Sequence, residues 1–130
     1  MSESALWKRV RSGVLGVVAR ADLSRVENMV EAGMPDVNFC VDGVEGWVEL
    51  KHCNAIPKRA GTPLFGDEGL RDSQIVWIYK RVKRGGRVWI VAQADDILFI
   101  VHGKHARIFN EQTFDELVGL SEWWHKGGLS

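Results

Sequence analysis

Two alternating runs of residues around a two-residue turn constrain the fold of this chain more than any other feature. The runs cover Val37–Val41 and Gly46–Lys51, and Asp42-Gly43 stands between them. Alternation between apolar and polar side chains is typical of strands, and Asp-Gly favours the tight turn that joins two antiparallel strands. We therefore expect a β-hairpin in this part of the chain.

The hairpin lies within a sequence that predicts an α/β domain. Apolar residues at helical spacing indicate helices, and short apolar runs indicate buried strands. The other predicted elements are, in order, a helix from Ser4 that ends near 12–15, an ambiguous segment over 19–28, a loop over His52–Gly69, a helix from Asp72 or Ser73 to about Arg84, strands over Arg87–Gln93 and Ile97–His102, and a helix over Thr113–His125. A helix between two strands returns the second strand to the same sheet, so we expect a mixed β-sheet with an antiparallel hairpin, flanked by helices.

Composition and charge limit the class of protein. A length of 130 residues suits a single domain over 1–130. The 17 Lys and Arg residues balance the 17 Asp and Glu residues, which excludes a chain that binds nucleic acid merely by being basic throughout. The two cysteines cannot form a disulfide framework, and no apolar run approaches the ~18 residues of a membrane span. We expect a cytoplasmic protein with reduced thiols and no membrane partner.

Asp36 and Glu49 stand on opposite strands of the predicted hairpin, at nearly the same distance from its turn. Their side chains can then converge, and two like charges converge only with a cation between them. Mg²⁺ suits this place because it takes oxygen ligands and needs only one or two protein carboxylates. The carbonyl oxygen of Leu50 adds a further ligand. We therefore predict a magnesium site, in which Mn²⁺ can substitute for Mg²⁺.

Lys51 follows Glu49 by two residues and shares its face of the strand, because side chains alternate between the two faces. An amine in this position can hold a water nucleophile or neutralise charge on a phosphate in a transition state. The two carboxylates and the lysine together indicate metal-dependent hydrolysis of phosphodiester bonds. The simpler interpretation is a surface salt bridge between Glu49 and Lys51, with Asp36 as an ordinary turn residue after a proline.

These residues belong to a longer pattern that resembles the PD-(D/E)xK nuclease superfamily. The pattern consists of Gly33-Met34-Pro35-Asp36, then Val44-Glu45-Gly46-Trp47-Val48-Glu49-Leu50-Lys51, then Gln74-Ile75-Val76-Trp77. It is most similar to the small stand-alone phage members of the virus-type replication-repair nuclease (VRR-NUC) branch, and it spans about Arg25–Gln93. The resemblance implies a restriction-endonuclease-like core and cleavage of branched DNA, including Holliday junctions, by a homodimer.

The resemblance also implies roles for individual residues. Asp36 and Glu49 would be metal ligands, and Lys51 would be the catalytic lysine. Gln74, at the start of the helix after the long loop, would support the site as a further member of the catalytic set. The family commonly has an acidic residue ahead of its Pro-Asp pair, and Glu27 fits that position as a catalytic residue and metal ligand, on a helix or on a strand end.

Basic residues in three places are candidates for binding DNA. Arg25 lies two residues before Glu27, and it either contacts a phosphate or holds that glutamate. Lys58 and Arg59 lie in the long loop, where binding to the DNA backbone and plain solvation fit the sequence equally well. The largest group surrounds the end of the predicted second helix and comprises Lys80, Lys83, Arg84 and Arg87. Phosphate binding there competes with a simpler role, since cations at a helix C-terminus also offset the helix dipole.

Three functions are compatible with the sequence. The first is a Mg²⁺-dependent endonuclease that cuts branched DNA, and a phage-encoded enzyme of this kind would act in the host cytoplasm. The second keeps the chemistry but acts on linear DNA, as a restriction-like or end-processing nuclease. The third is a non-catalytic nucleic-acid-binding module that retains the nuclease fold. We expect the first of these.

Overall fold

The computed structural model describes residues 3–12, 21–26, 32–53 and 55–126. Its helices are α1 (Glu3–Ser12), α2 (Asp72–Lys83), α3 (Ala106–Phe109) and α4 (Phe114–Leu120), and its strands are β1 (Ala21–Arg25), β2 (Val37–Val41), β3 (Val44–Cys53), β4 (Val88–Ala94), β5 (Ile97–His102) and β6 (Trp123–Lys126). Two short 3-10 helices cover Gly66–Glu68 and Gly103–His105. Among these residues, no helix has the length and apolar character that a membrane crossing requires.

The six strands form one mixed sheet in the order β1-β2-β3-β4-β5-β6. Strands β3 and β4 are parallel, and the other neighbouring pairs are antiparallel. Helix α2 lies in the crossover between β3 and β4, because parallel neighbours require the chain to return to the same end of the sheet. The predicted α/β class, with a mixed sheet flanked by helices, is confirmed.

The hairpin of β2 and β3 turns at Asp42-Gly43, as the sequence predicts. Val41 pairs with Val44, so the loop contains only these two residues. Their φ angles are 51° and 82°, and positive φ at both positions gives the turn whose twist matches that of the flanking strands. Strand β3 is longer than predicted, because its last residues pair with β4 beyond the point where β2 begins.

Two apolar cores lie on opposite faces of the sheet. The core on the α1 side includes Val48 and Leu50 of β3. The larger core lies on the α2 side, and Trp47 of β3 packs against it. Because side chains alternate along a strand, Glu49 and Lys51 face α2 together with Trp47. Their position on this face brings two charged side chains of β3 next to the first turn of α2.

The prediction of a last helix over Thr113–His125 is wrong in its second half. Helix α4 ends at Leu120, and the backbone of residues 123–126 forms strand β6, which pairs with β5. Apolar spacing in this region fits a helix, but aromatic residues also favour strands, and β6 covers an edge of β5 that would otherwise expose unpaired backbone groups. The ambiguous segment 19–28 contains strand β1, and the sequence does not predict the short helix α3.

Candidate active site

The candidate site lies where β2 and β3 stop pairing. The last pair of the ladder is Val37 with Val48, and Asp36 and Glu49 are the next residues beyond it. The side chain of Asp36 turns to the backbone of β3, where its Oδ2 accepts a hydrogen bond from the N–H of Leu50 at 3.1 Å. The carboxylate of Asp36 is thereby held against the backbone of β3 at Leu50, the residue after Glu49.

The segment before β2, which carries Asp36, packs against the start of α2. Gly33 lies in this segment with φ +85°, and a Cβ atom at this residue would stand 2.1 Å from the carbonyl oxygen of Ser73 in α2. Pro35 has no N–H to donate to β3, so the ladder cannot continue past Asp36. The sequence analysis does not predict that Gly33 packs against α2; there, Gly33 appears only in the pattern that resembles the nuclease superfamily. A glycine three residues before an Asp-led strand is the signal that could have found it.

Glu49 is the buried carboxylate of the site, with only 1% of its surface exposed. Its Oε2 accepts a hydrogen bond from Nε2 of Gln74 at 3.0 Å and lies 3.7 Å from Nζ of Lys51. An ionised carboxylate is costly to bury unless hydrogen bonds and an opposite charge compensate it, and Gln74 and Lys51 provide these. The Glu49–Lys51 salt bridge of the simpler interpretation is therefore present, but within a buried group. We name Asp36, Glu49, Lys51 and Gln74 the carboxylate cluster.

Gln74 has a fixed orientation in the cluster. Its Oε1 accepts a hydrogen bond from the backbone N–H of Arg71 at 2.9 Å. A backbone N–H can only donate, so the side-chain oxygen must face Arg71 and the NH₂ group must face Glu49. Gln74 thus has two roles: it completes the start of α2 by accepting from the residue before the helix, and it delivers a donor to Glu49.

Asn110 anchors the loop that leads into α2. Its Oδ1 accepts from the N–H of Leu70 and its Nδ2 donates to the carbonyl of Leu70, both at 2.7 Å. The next residue, Arg71, donates its backbone N–H to Gln74. Asn110 is therefore connected to the cluster through the backbone of Leu70 and Arg71. Its contribution is missed by sequence reasoning, because Asn110 and Leu70 are 40 positions apart and no local pattern links them.

The remaining predicted site residues lie in other elements of the fold or outside the described residues. Glu27 is outside them. The guanidinium of Arg25 lies 5.9 Å from the centre of the Trp7 ring, which packs on the α1 side of the sheet, whereas Glu49 faces α2. Lys58 and Arg59 are exposed in the loop after β3. The cations around the end of α2 are also exposed, and they are Lys80, Lys83, Arg84 and Arg87.

The oxygen atoms of the cluster fit a hard divalent cation. Asp36 and Glu49 offer carboxylates, and the carbonyl of Leu50 is directed to the same side as its N–H, which binds Asp36. Mg²⁺ needs few further protein ligands because it keeps several waters. Across the described ranges, no three or more His, Cys, Asp and Glu side chains gather in a way that could hold a metal ion. The donors at this place, two carboxylates and a carbonyl, are of the kind that Mg²⁺ accepts.

No protein-family model matches this chain, and no curated protein matches it.

Exposure and protonation limit which groups at or near the cluster can take part in chemistry. The side chain of Lys51 is 15% exposed, so its amine can be reached from solvent while it stays near Glu49. Cys53, further along β3, is unsuited to act as a nucleophile. Its burial, and then the negative charge of Glu68, raise the pKa of its thiol to about 11, so the thiol is protonated at neutral pH. The available groups are carboxylates, an amine and an amide.

Proposed function

We propose that the protein is a Mg²⁺-dependent DNA endonuclease with a restriction-endonuclease-like core, which hydrolyses phosphodiester bonds in branched DNA such as Holliday junctions. The observation that carries the proposal is the contact of the buried Glu49 carboxylate with both Gln74 and Lys51, beside Asp36. These four residues also belong to the pattern that resembles the PD-(D/E)xK nucleases. A cytoplasmic location and action as a homodimer are further parts of the proposal.

Each residue of the cluster has a role that follows from its contacts. Asp36 and Glu49, with the Leu50 carbonyl, would hold Mg²⁺ or Mn²⁺. When bound, the ion supplies Lewis acidity and lowers the pKa of a water molecule. Lys51 donates to a phosphate oxygen or to the attacking water, and its charge offsets the negative charge that develops on the phosphate. Gln74 keeps Oε2 of Glu49 in place.

The preference for branched DNA depends on the resemblance alone. A restriction-like or end-processing nuclease for linear DNA would use the same cluster, because the chemistry at the phosphorus is the same in both cases. The substrate must therefore be found by direct comparison of branched and linear DNA.

A second candidate function is a non-catalytic nucleic-acid-binding module. The observation that favours it is the burial of Glu49, which is 1% exposed and whose Oε2 already has Gln74 and Lys51 as partners. A carboxylate held in this way can serve to stabilise the fold by joining β3 to α2. In this case the protein would bind DNA through its exposed cations, and the cluster would have no catalytic part.

The test is to incubate the protein with an end-labelled four-way junction, a linear duplex and single strands, in Mg²⁺, Mn²⁺ or EDTA. We expect the junction alone to be cut, and only with a divalent cation present. Cleavage of the linear duplex would favour the restriction-like or end-processing nuclease instead. Binding of DNA without any cleavage would favour the non-catalytic module.

Two variants connect activity to the cluster. Lys51→Ala should lower the rate of cleavage by at least about 100-fold, since the loss of one group that stabilises transition-state charge has this magnitude. Lys8→Ala is the matched control, because Lys8 is an exposed lysine on α1, on the other side of the sheet. Equal rates for Lys51→Ala and the unaltered protein would show that the lysine has no catalytic role.

A further inference from the structure

The outer side of α2 and the neighbouring α3 form a surface outside the carboxylate cluster. Tyr79 of α2 is 36% exposed. The guanidinium carbon of Arg107 lies 4.7 Å from the centre of the Tyr79 ring, and Nζ of Lys83 lies 5.9 Å from it. Lys80 and the exposed Val76 join Tyr79 and Arg107 around a concavity of about 260 Å³. We name Tyr79, Lys80, Lys83 and Arg107 the α2–α3 surface.

The positive charges of this surface are uncompensated within the part of the chain that the structure describes. All three cations are exposed, and none of them forms an ion pair with a described carboxylate. Lys80 and Lys83 are about 4.5 Å apart along the helix axis, and Arg107 reaches the surface from another helix. Charges that are spread in this way complement a row of phosphates better than one small anion, which would need donors converging on a single point.

We propose that the α2–α3 surface binds the phosphate backbone of a duplex DNA arm, and that Tyr79 positions Arg107 and Lys83 to do so. The proposal rests on the proposed function, which makes DNA the substrate. The attraction between a cation and the face of an aromatic ring holds each cation near Tyr79. Because Arg107 and Lys83 are already restricted, they lose fewer side-chain conformations when a phosphate binds, and the affinity for DNA is higher.

The position of the surface relative to the cluster sets the part of the DNA that it contacts. Gln74 stands in the first turn of α2, and Lys80 and Lys83 lie about 9 and 14 Å further along the helix axis. Since each base pair of a duplex adds about 3.4 Å, this corresponds to about three to four base pairs. These are separations along the axis only: at 3.6 residues per turn Lys83 lies on the side of α2 opposite to Gln74, so the surface contacts a part of the DNA other than the bond at the cluster.

The experiment measures binding of the full-length protein to a fluorescent four-way junction in EDTA, over a series of salt concentrations. Arg107→Gln should lower the slope of log affinity against log salt by about 0.9, which is the effect of one lost phosphate contact. Tyr79→Ser should weaken binding about two- to five-fold at constant charge, and Tyr79→Phe should keep the affinity, because the ring remains. Lys8→Gln on α1 is the matched control for loss of one charge and should keep the slope.

The outcomes separate this proposal from the proposed function. Unchanged slope and affinity in Arg107→Gln and Tyr79→Ser would overturn the α2–α3 surface, whether or not the protein cleaves DNA in Mg²⁺. Weaker binding by these variants, in a protein that cleaves no substrate, would support the surface and overturn the nuclease. Failure of the unaltered protein to bind any DNA would overturn both. Equal displacement of the junction by polyglutamate and by unlabelled duplex would assign the surface to an acidic polypeptide instead.

Discussion

Replacement of Gln74 by glutamate tests the carboxylate cluster without changing its shape. The new carboxyl group keeps an oxygen for the N–H of Arg71, but at high pH it replaces the donor to Glu49 with a second negative charge about 3 Å away. The lost hydrogen bond to a charged group contributes about 1.5–3 kcal/mol, and repulsion adds to this. We expect the free energy of unfolding to fall by about 2–4 kcal/mol at pH 8.

The same substitution should make stability depend on pH in a defined direction. Burial and the neighbouring charge of Glu49 raise the pKa of the new carboxyl group in the folded protein. At pH 5 the group is protonated in the folded state and donates to Glu49, so the loss of stability relative to the unaltered protein should be below about 1 kcal/mol. As pH rises through the raised pKa, the folded state must release this proton, and the stability that it provided is lost.

Urea unfolding at pH 5 and pH 8, followed by tryptophan fluorescence, measures both values. Gln74→Met is the control, because it removes the same donor and adds no titratable group, so its effect relative to the unaltered protein should be similar at the two pH values. If Gln74→Glu destabilises the protein equally at pH 5 and pH 8, the buried contact between Gln74 and Glu49 does not exist in solution.

The other predictions concern packing, the loop anchor and thiol reactivity. An alanine in the left-handed conformation costs about 1–2 kcal/mol. Gly33→Ala should lower the free energy of unfolding, measured in urea, by more than this, because its Cβ would also overlap the backbone of α2. Gly61 has φ +88° and open surroundings, so Gly61→Ala should show the backbone strain alone. Asn110→Ala loses two hydrogen bonds and should lower the free energy of unfolding by about 1–3 kcal/mol, and a loss below about 0.5 kcal/mol would contradict the anchor. With Cys40 replaced by serine, the buried thiol of Cys53, with its pKa of about 11, should react with a disulfide reagent at pH 8 only after unfolding; fast reaction in the folded protein would contradict its burial.

The hairpin could be predicted from the sequence because its causes are local. The turn at Asp42-Gly43 requires two residues that tolerate positive φ, and the alternation on either side fixes which side chains share a face. That Asp36 and Glu49 come directly after the last pair, Val37 with Val48, follows by counting from the turn. No tertiary contact is needed for any of these steps.

The missed features depend on contacts between distant parts of the chain. Strand β6 forms because β5 presents an edge, and helical spacing in its own residues gives no sign of that edge. Arg107 meets Tyr79 only because α3 packs beside α2, and Asn110 reaches Leu70 across 40 positions. The burial of Glu49 is also a tertiary effect. The alternation of side chains along β3 predicts which face of the sheet Glu49 lies on, but not which element covers that face.

The anchoring of Leu70 by Asn110 has a consequence for the order of biosynthesis. Every member of the carboxylate cluster has been synthesised once the ribosome passes residue 74, yet the loop before α2 acquires its anchor only after residue 110 has emerged. Parallel pairing of β3 with β4 likewise waits for residues 88–94. The hairpin residues Asp36, Glu49 and Lys51 can therefore meet early in synthesis, whereas the loop that positions Gln74 acquires its anchor only later.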